Sequence, residues 1–174
     1  MDLEQLLEAL RRLGRVEEKD GEIRVHVGVE GLREAARLLA EAGFDHVATL
    51  TVVDEVKRGR FRLVYVAESY EEPRLLVHLV TEVDRREPRV PSLHDIWPSL
   101  LWQERENWEM FGIVFEGHPD LRHLLLPPDW PENVHPLRKD FVVREEPFMA
   151  PPELQKRLEE LLRKESGESS TPNA

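Results

Sequence analysis

The chain has 174 residues, 40% of them apolar, and 35 Asp and Glu against 24 Lys and Arg leave a net charge of −11. That size supports one ordinary domain plus a tail, and the charge disfavours approach to phosphate backbones and anionic lipid headgroups. Cysteine is absent, which excludes disulfides, thiolate nucleophiles, cysteine-ligated zinc and cysteine-held iron–sulfur clusters.

Leu3, Leu6, Leu7, Leu10 and Leu13 recur at helical spacing, so the first segment is expected to be an amphipathic helix stopped at Gly14. Its acidic start lacks the basic and apolar regions of a secretory signal, and no window approaches ~18 uninterrupted apolar residues. The expectation is a cytosolic or peripheral protein. EIRVHVGV, after the Asp20-Gly21 turn, alternates apolar and polar residues as a half-buried strand does. A second helix follows on Leu32, Ala35, Ala36, Leu38, Leu39 and Ala42, with Gly43 as its left-handed stop.

Three strand-like runs come next, at about 46–56, 60–67 and 75–83, joined by hairpin-length links. They read as an antiparallel meander within an α+β fold whose antiparallel or mixed sheet carries the N-terminal helices on one face. REPRVPSL interrupts the sheet, and Ser92 with Asp95 has the spacing of a capping box opening a short turn. A helix from about Pro98 to Met110 should stop at Gly112. Beyond Phe141, Pro151-Pro152 starts a leucine-striped helix on Leu154, Leu158, Leu161 and Leu162. The expected organisation is an α+β domain over 1–90, a helical segment of that domain over 91–112, an extended strap over 113–150, a C-terminal helix over 151–165 and a disordered tail over 166–174.

Few residue groups offer chemistry. Glu104 and Glu106 diverge by about 200° around a helix and do not converge on one point, whereas Arg105 and Glu109, four apart, are placed to pair. His118, His123, His135 and Asp120 match no metal-ligand spacing and read as hydrogen-bonding groups. No nucleophile elbow, phosphate-cradling glycine loop or dinucleotide fingerprint is present. A hydrolase using Glu104, Glu106 or His118, or a stand-alone soluble adaptor, are the alternatives to an assembly role.

The segment 117–141, GHPDLRHLLLPPDWPENVHPLRKDF, is stiffened by Pro119, Pro127, Pro128, Pro131 and Pro136, and Trp97, Trp102, Trp108 and Trp130 cluster near it. A proline-stiffened loop loses little entropy on docking, and tryptophan suits both cores and interface centres. Arg138, beside Lys139 and Asp140, has the planar fork for bidentate bonding to a carboxylate. With that block facing a partner, Arg138→Ala should weaken assembly more than it lowers the melting temperature of the isolated chain.

Read together, PSL at 91–93, ERE at 104–106, FGI at 111–113, GHPDLR at 117–122 and PLRKDF at 136–141 resemble the signature of the 30 kDa subunit family of respiratory complex I, also called the C subunit of NADH–quinone oxidoreductase. The family commonly has Asp where Glu109 stands, Arg where His123 stands, and a shorter link before HPLRKD. The DWPE link at 129–132 is similar to the branch in membrane-bound energy-converting nickel–iron hydrogenases and formate hydrogenlyase-type complexes. The resemblance implies a non-catalytic hydrophilic subunit of the peripheral arm, on the cytoplasmic side of the membrane. It would dock on the homologue of the 49 kDa or hydrogenase large subunit, near iron–sulfur subunits. It implies no cofactor in this chain, with iron–sulfur clusters and a nickel–iron centre or flavin in partner subunits. By the same resemblance, Glu104, Arg105, Glu106, Gly112, Gly117, His118, Pro119, Asp120, Arg122, Pro136, Leu137, Arg138, Lys139 and Asp140 form the structural and interface motif.

Overall fold

The computed structural model describes residues 2–19, 22–69 and 75–143. The chain divides into a compact unit, Met1–Phe141, and a second unit, Val142–Ala174, of which only 142 and 143 are described. The expected C-terminal helix and tail lie outside the described residues.

Helix α1, Leu3–Leu13, starts where Asp2 accepts the backbone N–H of Gln5 at 2.8 Å, and it buries Leu6, Leu7 and Leu10. Each buried leucine contributes about 2 kcal/mol. Gly14 is extended, with φ −177°, and instead of merely stopping the helix it opens strand β1, Gly14–Lys19. A Cβ there would lie 1.9 Å from the carbonyl oxygen of His26, so glycine is needed for close approach to β2, Glu22–Val27. Helix α2, Val29–Glu41, buries Leu32, Ala35, Ala36 and Leu39.

Strands β3, His46–Glu55, β4, Arg60–Glu68, and β5, Leu76–Asp84, form the expected antiparallel meander. The five-stranded sheet has the order β1-β2-β5-β4-β3, with β2 and β5 parallel and all other neighbours antiparallel. Strict alternation in β4 turns Phe61, Leu63, Tyr65 and Ala67 into the core, where they join the buried leucines and alanines of α1 and α2. On the opposite face Glu55, Arg60, Glu82 and Arg62 close a four-membered ring of ion pairs.

Past the meander, REPRVPSL leaves the main sheet but not strand geometry. Arg89–Pro91, β6, pairs in parallel with Val114–Glu116, β7, and Ser92, next along, donates its N–H to Glu116 O at 2.8 Å. The Ser92–Asp95 capping box does not close. Asp95 pairs with Arg33 of α2 instead, through two bonds of 3.0 and 2.6 Å. Helix α3, Leu100–Phe111, packs along β3, an edge strand of the sheet. Gln103 and Asn107 of the helix, with Ser99 at its N-cap, supply that edge with partners. Ser99 Oγ and Gln103 Nε2 donate to Val47 O, Leu50 N–H donates to Gln103 Oε1 and Asn107 Nδ2 donates to Leu50 O. The helix thus closes an edge that would otherwise template strand pairing. Trp97 is fully buried and donates from Nε1 to Phe44 O at 2.8 Å.

Candidate functional site

The residues singled out from 104 to 140 converge on α3 and on the strap that wraps it. The four carboxylate and guanidinium side chains of the ERENWE run point to different places. Glu106 is exposed. Glu104 is fully buried, accepting from Ser92 Oγ and from the Leu93 N–H at 2.8 Å. Burial pushes its carboxyl up to about 7, against the lowering effect of those two bonds. Glu104 and Glu106 therefore offer no shared acid–base centre, and His118 is occupied elsewhere: its Nε2 donates to Leu101 O at 2.9 Å while Nδ1 accepts from Asp120 N–H at 3.0 Å.

Arg105 and Glu109 do not pair with each other, contrary to the spacing rule. Both reach instead into the same loop. Arg105 donates to the carbonyls of Arg122 and His123, both at 2.6 Å, and Asp120 flanks it at 3.5 Å. Glu109 accepts the backbone N–H groups of Leu124, Leu125 and Leu126 at 2.8 to 3.0 Å and is met by His123 Nδ1 at 3.1 Å. A cation thus holds the carbonyls, and an anion the amides, of one continuous backbone stretch. Burial raises the Glu109 carboxyl, but the three backbone donors and His123 outweigh it and hold the group below the usual carboxylate value.

Further on, the strap closes the C-terminal end of α3. The last four carbonyls of a helix have no partner within it. Here Trp108 O accepts from Gly112 N–H at 2.8 Å and Glu109 O from His135 Nδ1 at 3.0 Å. Met110 O accepts from Leu137 N–H at 3.1 Å and Phe111 O from Arg138 Nε at 2.6 Å. The HPLR motif is therefore a helix cap built from a remote segment, and Arg138 places a cation where the helix dipole favours one. Gly112 makes room for it. Its φ is +74°, and a Cβ would stand 2.3 Å from His135 Nε2 and 2.8 Å from an Arg138 terminal nitrogen. Gly117, with φ +87°, turns the chain after β7, where Pro119 follows.

The charged end of the strap is also used inside the unit. Lys139 N–H donates to Asp54 Oδ2 at 2.9 Å, and Arg85 bridges Asp54 and Asp140. Arg138 lies over the Phe61 ring at 5.3 Å and reaches no carboxylate fork among the described residues; a two-bond fork joins Arg85 and Asp54 instead. Asp54 and Arg85 carry no signal in the sequence, because their meaning depends on a segment 85 positions from Asp54. Among its exposed charged residues the strap and α3 also show large apolar side chains: Leu125 is 61% exposed, Trp102 56%, Leu137 54% and Leu124 37%. Between the end of α3 and the strap lies a cavity of about 500 Å³ lined by Trp108, His123, Pro128, Trp130 and His135. Among the described residues no group of three or more His, Cys, Asp or Glu side chains is arranged to hold a metal ion.

A family model described as respiratory-chain NADH dehydrogenase, 30 Kd subunit, matches residues 25–147. The chain belongs to this family. Relatives include the NADH-quinone oxidoreductase C subunit of Roseiflexus castenholzii, 42% identical over 124 residues, which covers 69% of this chain and 70% of that protein. The C subunit of Chloroherpeton thalassium is 40% identical over 114 residues, 66% of this chain and 45% of that protein. The C/D subunit of Nitrosospira multiformis is 40% identical over 138 residues, 73% of this chain but only 22% of that protein. Among solved structures, a trypsin-resistant Nqo5 fragment superposes with a TM-score of 0.62 at 31% identity, covering 70% of this chain and all of that one. A chain of an archaeal membrane-bound sulfane sulfur reductase shares the fold, with a TM-score of 0.71 at 22% identity over 99% of this chain and 94% of that one. The 30 kDa family match takes in α2, the meander, α3 and the described strap, so every hydrogen bond of the Arg105, Glu109 and helix-cap clamps falls inside it.

Proposed function

We propose that this chain is a non-catalytic peripheral-arm subunit of a complex I-like membrane-bound oxidoreductase, an NADH–quinone oxidoreductase or an energy-converting nickel–iron hydrogenase. In it the chain docks on and stabilises a D-type partner, the homologue of the 49 kDa and hydrogenase large subunits, during electron transfer coupled to ion translocation. The observation that carries this is the C/D protein of Nitrosospira multiformis: a stretch 40% identical to this chain makes up 22% of a polypeptide named for both subunits. Fusion keeps two parts at high effective concentration, which is useful when they act together.

With no cysteine in the sequence to hold them, iron–sulfur clusters belong in this reading to neighbouring subunits, as does any flavin or nickel–iron centre. No helix among the described residues is long and apolar enough to cross a membrane, and the place proposed for the chain is peripheral, on the cytoplasmic side. The test is a mild-detergent pull-down of the tagged chain from its own membranes, with mass spectrometry and paired hydrogenase and NADH–quinone assays. Recovery of a D-type subunit with iron–sulfur subunits is expected, and the active assay names the branch. Recovery of the chain alone would sink the proposal.

A further inference from the structure

Resting on the reading that a D-type subunit is the partner, we infer that the docking contact is made by an apolar knuckle of Trp102, Leu124 and Leu125. The charged block Arg138–Asp140 is not that contact. Within the unit the Arg138 side chain is engaged by Phe111 O, the Asp140 side chain by Arg85, and Lys139 through its backbone N–H by Asp54. The knuckle is the reverse case. Leu124 and Leu125 stand out from a backbone whose amides are all held by buried Glu109, while Arg105 grips the two preceding carbonyls and lies under the Trp102 ring at 5.7 Å. One clamp therefore fixes both halves of the patch.

Apolar side chains exposed singly need no explanation, but three gathered by one clamp make the kind of patch that marks an interaction surface, and a preorganised loop gives up little entropy when it docks. Three occupants come into question. A lipid surface is disfavoured by the net charge of −11 and by exposed Glu106, one helical turn after Trp102 on α3. A second copy would bring the same −11 toward itself. A D-type subunit is the remaining occupant, and the fused relatives carry it on the same polypeptide as the region that contains this loop.

The test uses the full tagged chain in its own membranes. Leu125→Asp should lower recovery of the D-type subunit about 10-fold or more, as for a central interface residue, with the thermal melt of the purified chain unchanged. Leu3→Asp, at an exposed apolar position in the first turn of α1 outside the patch, should leave recovery intact. A photo-crosslinking residue in place of Leu125 should give an adduct with the D-type subunit. Equal recovery by Leu125→Asp and wild type, or an adduct with a second copy or with lipid, overturns the knuckle while leaving the partner reading standing. Failure of the wild-type chain to recover any D-type subunit overturns that reading and the inference with it.

Discussion

Lys139 donates its backbone N–H to Asp54 Oδ2 at 2.9 Å, joining residues 85 positions apart. Asp54 sits near the end of β3 with its side chain buried, and its other bonds go to Arg85, just after β5. Arg85 in turn reaches Asp140 at 2.5 Å. The end of the strap is thus tied to the sheet through one buried carboxylate, and Arg85 is held well above its ordinary pKa, first by its bonds to Asp54 and Asp140.

Asp54→Ala should therefore destabilise the chain by about 3 kcal/mol, since removing one partner of a buried pair leaves the other uncompensated. Denaturant titration measures the loss, and protease cleavage within 130–143 should rise in parallel. A loss under about 1 kcal/mol would mean that the tie is replaced by water.

Gly112→Ala faces two penalties together, a left-handed φ and a Cβ inside the space of His135 and Arg138. The expected cost is about 2 kcal/mol or more. Because three of the last helix carbonyls depend on the strap, hydrogen exchange at Leu137 should accelerate along with it. An unchanged exchange rate there would detach the cap from the glycine.

Arg138→Ala should lower stability, because it removes the bond to Phe111 O and the stacking on Phe61. About 1–2 kcal/mol fits a half-buried charged hydrogen bond. The sequence alone places this arginine toward a partner, with assembly suffering more than stability. Its two contacts within the unit lead to the opposite expectation, and comparing the melting temperature with partner recovery for this variant decides between the two.

The contrast shows what periodicity can and cannot carry. Leu6, Leu7 and Leu10, and the alternation of Phe61, Leu63, Tyr65 and Ala67, announce their elements because burial repeats at the period of the backbone. Strand β1, GRVEEK, has one large apolar residue and becomes a strand only by pairing with β2, while β6 and β7 are too short to show a period. The local rule that Arg105 should meet Glu109 loses to a loop 15 to 18 positions away that offers each of them stronger bonds to backbone. The HPLR motif is legible as something rigid and specific. Its role as a cap stays hidden, because helix carbonyls leave no mark in sequence.

Two glutamates of the same helix should give opposite pH dependence. Glu104 is pushed up to about 7 by burial, so the folded state binds its proton more tightly than the unfolded state does. Its contribution to stability is full below about pH 4.5 and is lost as pH rises toward 7, and a shift of that size corresponds to about 3 kcal/mol. Glu109 is held low, so its contribution is present above about pH 4.5 and is lost as pH falls through its folded value. The groups around Glu104 are Ser92, whose hydroxyl also meets His94 Nδ1 at 2.8 Å, Tyr65 of β4, and the Arg33–Asp95 pair beyond Ser92. Glu104→Gln keeps the size and can still meet the Ser92 hydroxyl and Leu93 N–H, but has no proton to lose. Relative to it, the wild type should lose stability between about pH 5 and pH 7. Glu109→Gln should instead be worst at neutral pH, where the anion that gathers three amides is missing, and the gap should close in acid. Denaturation midpoints of the three proteins across that range provide the measurement, and parallel curves would show that neither carboxylate is held as its surroundings indicate.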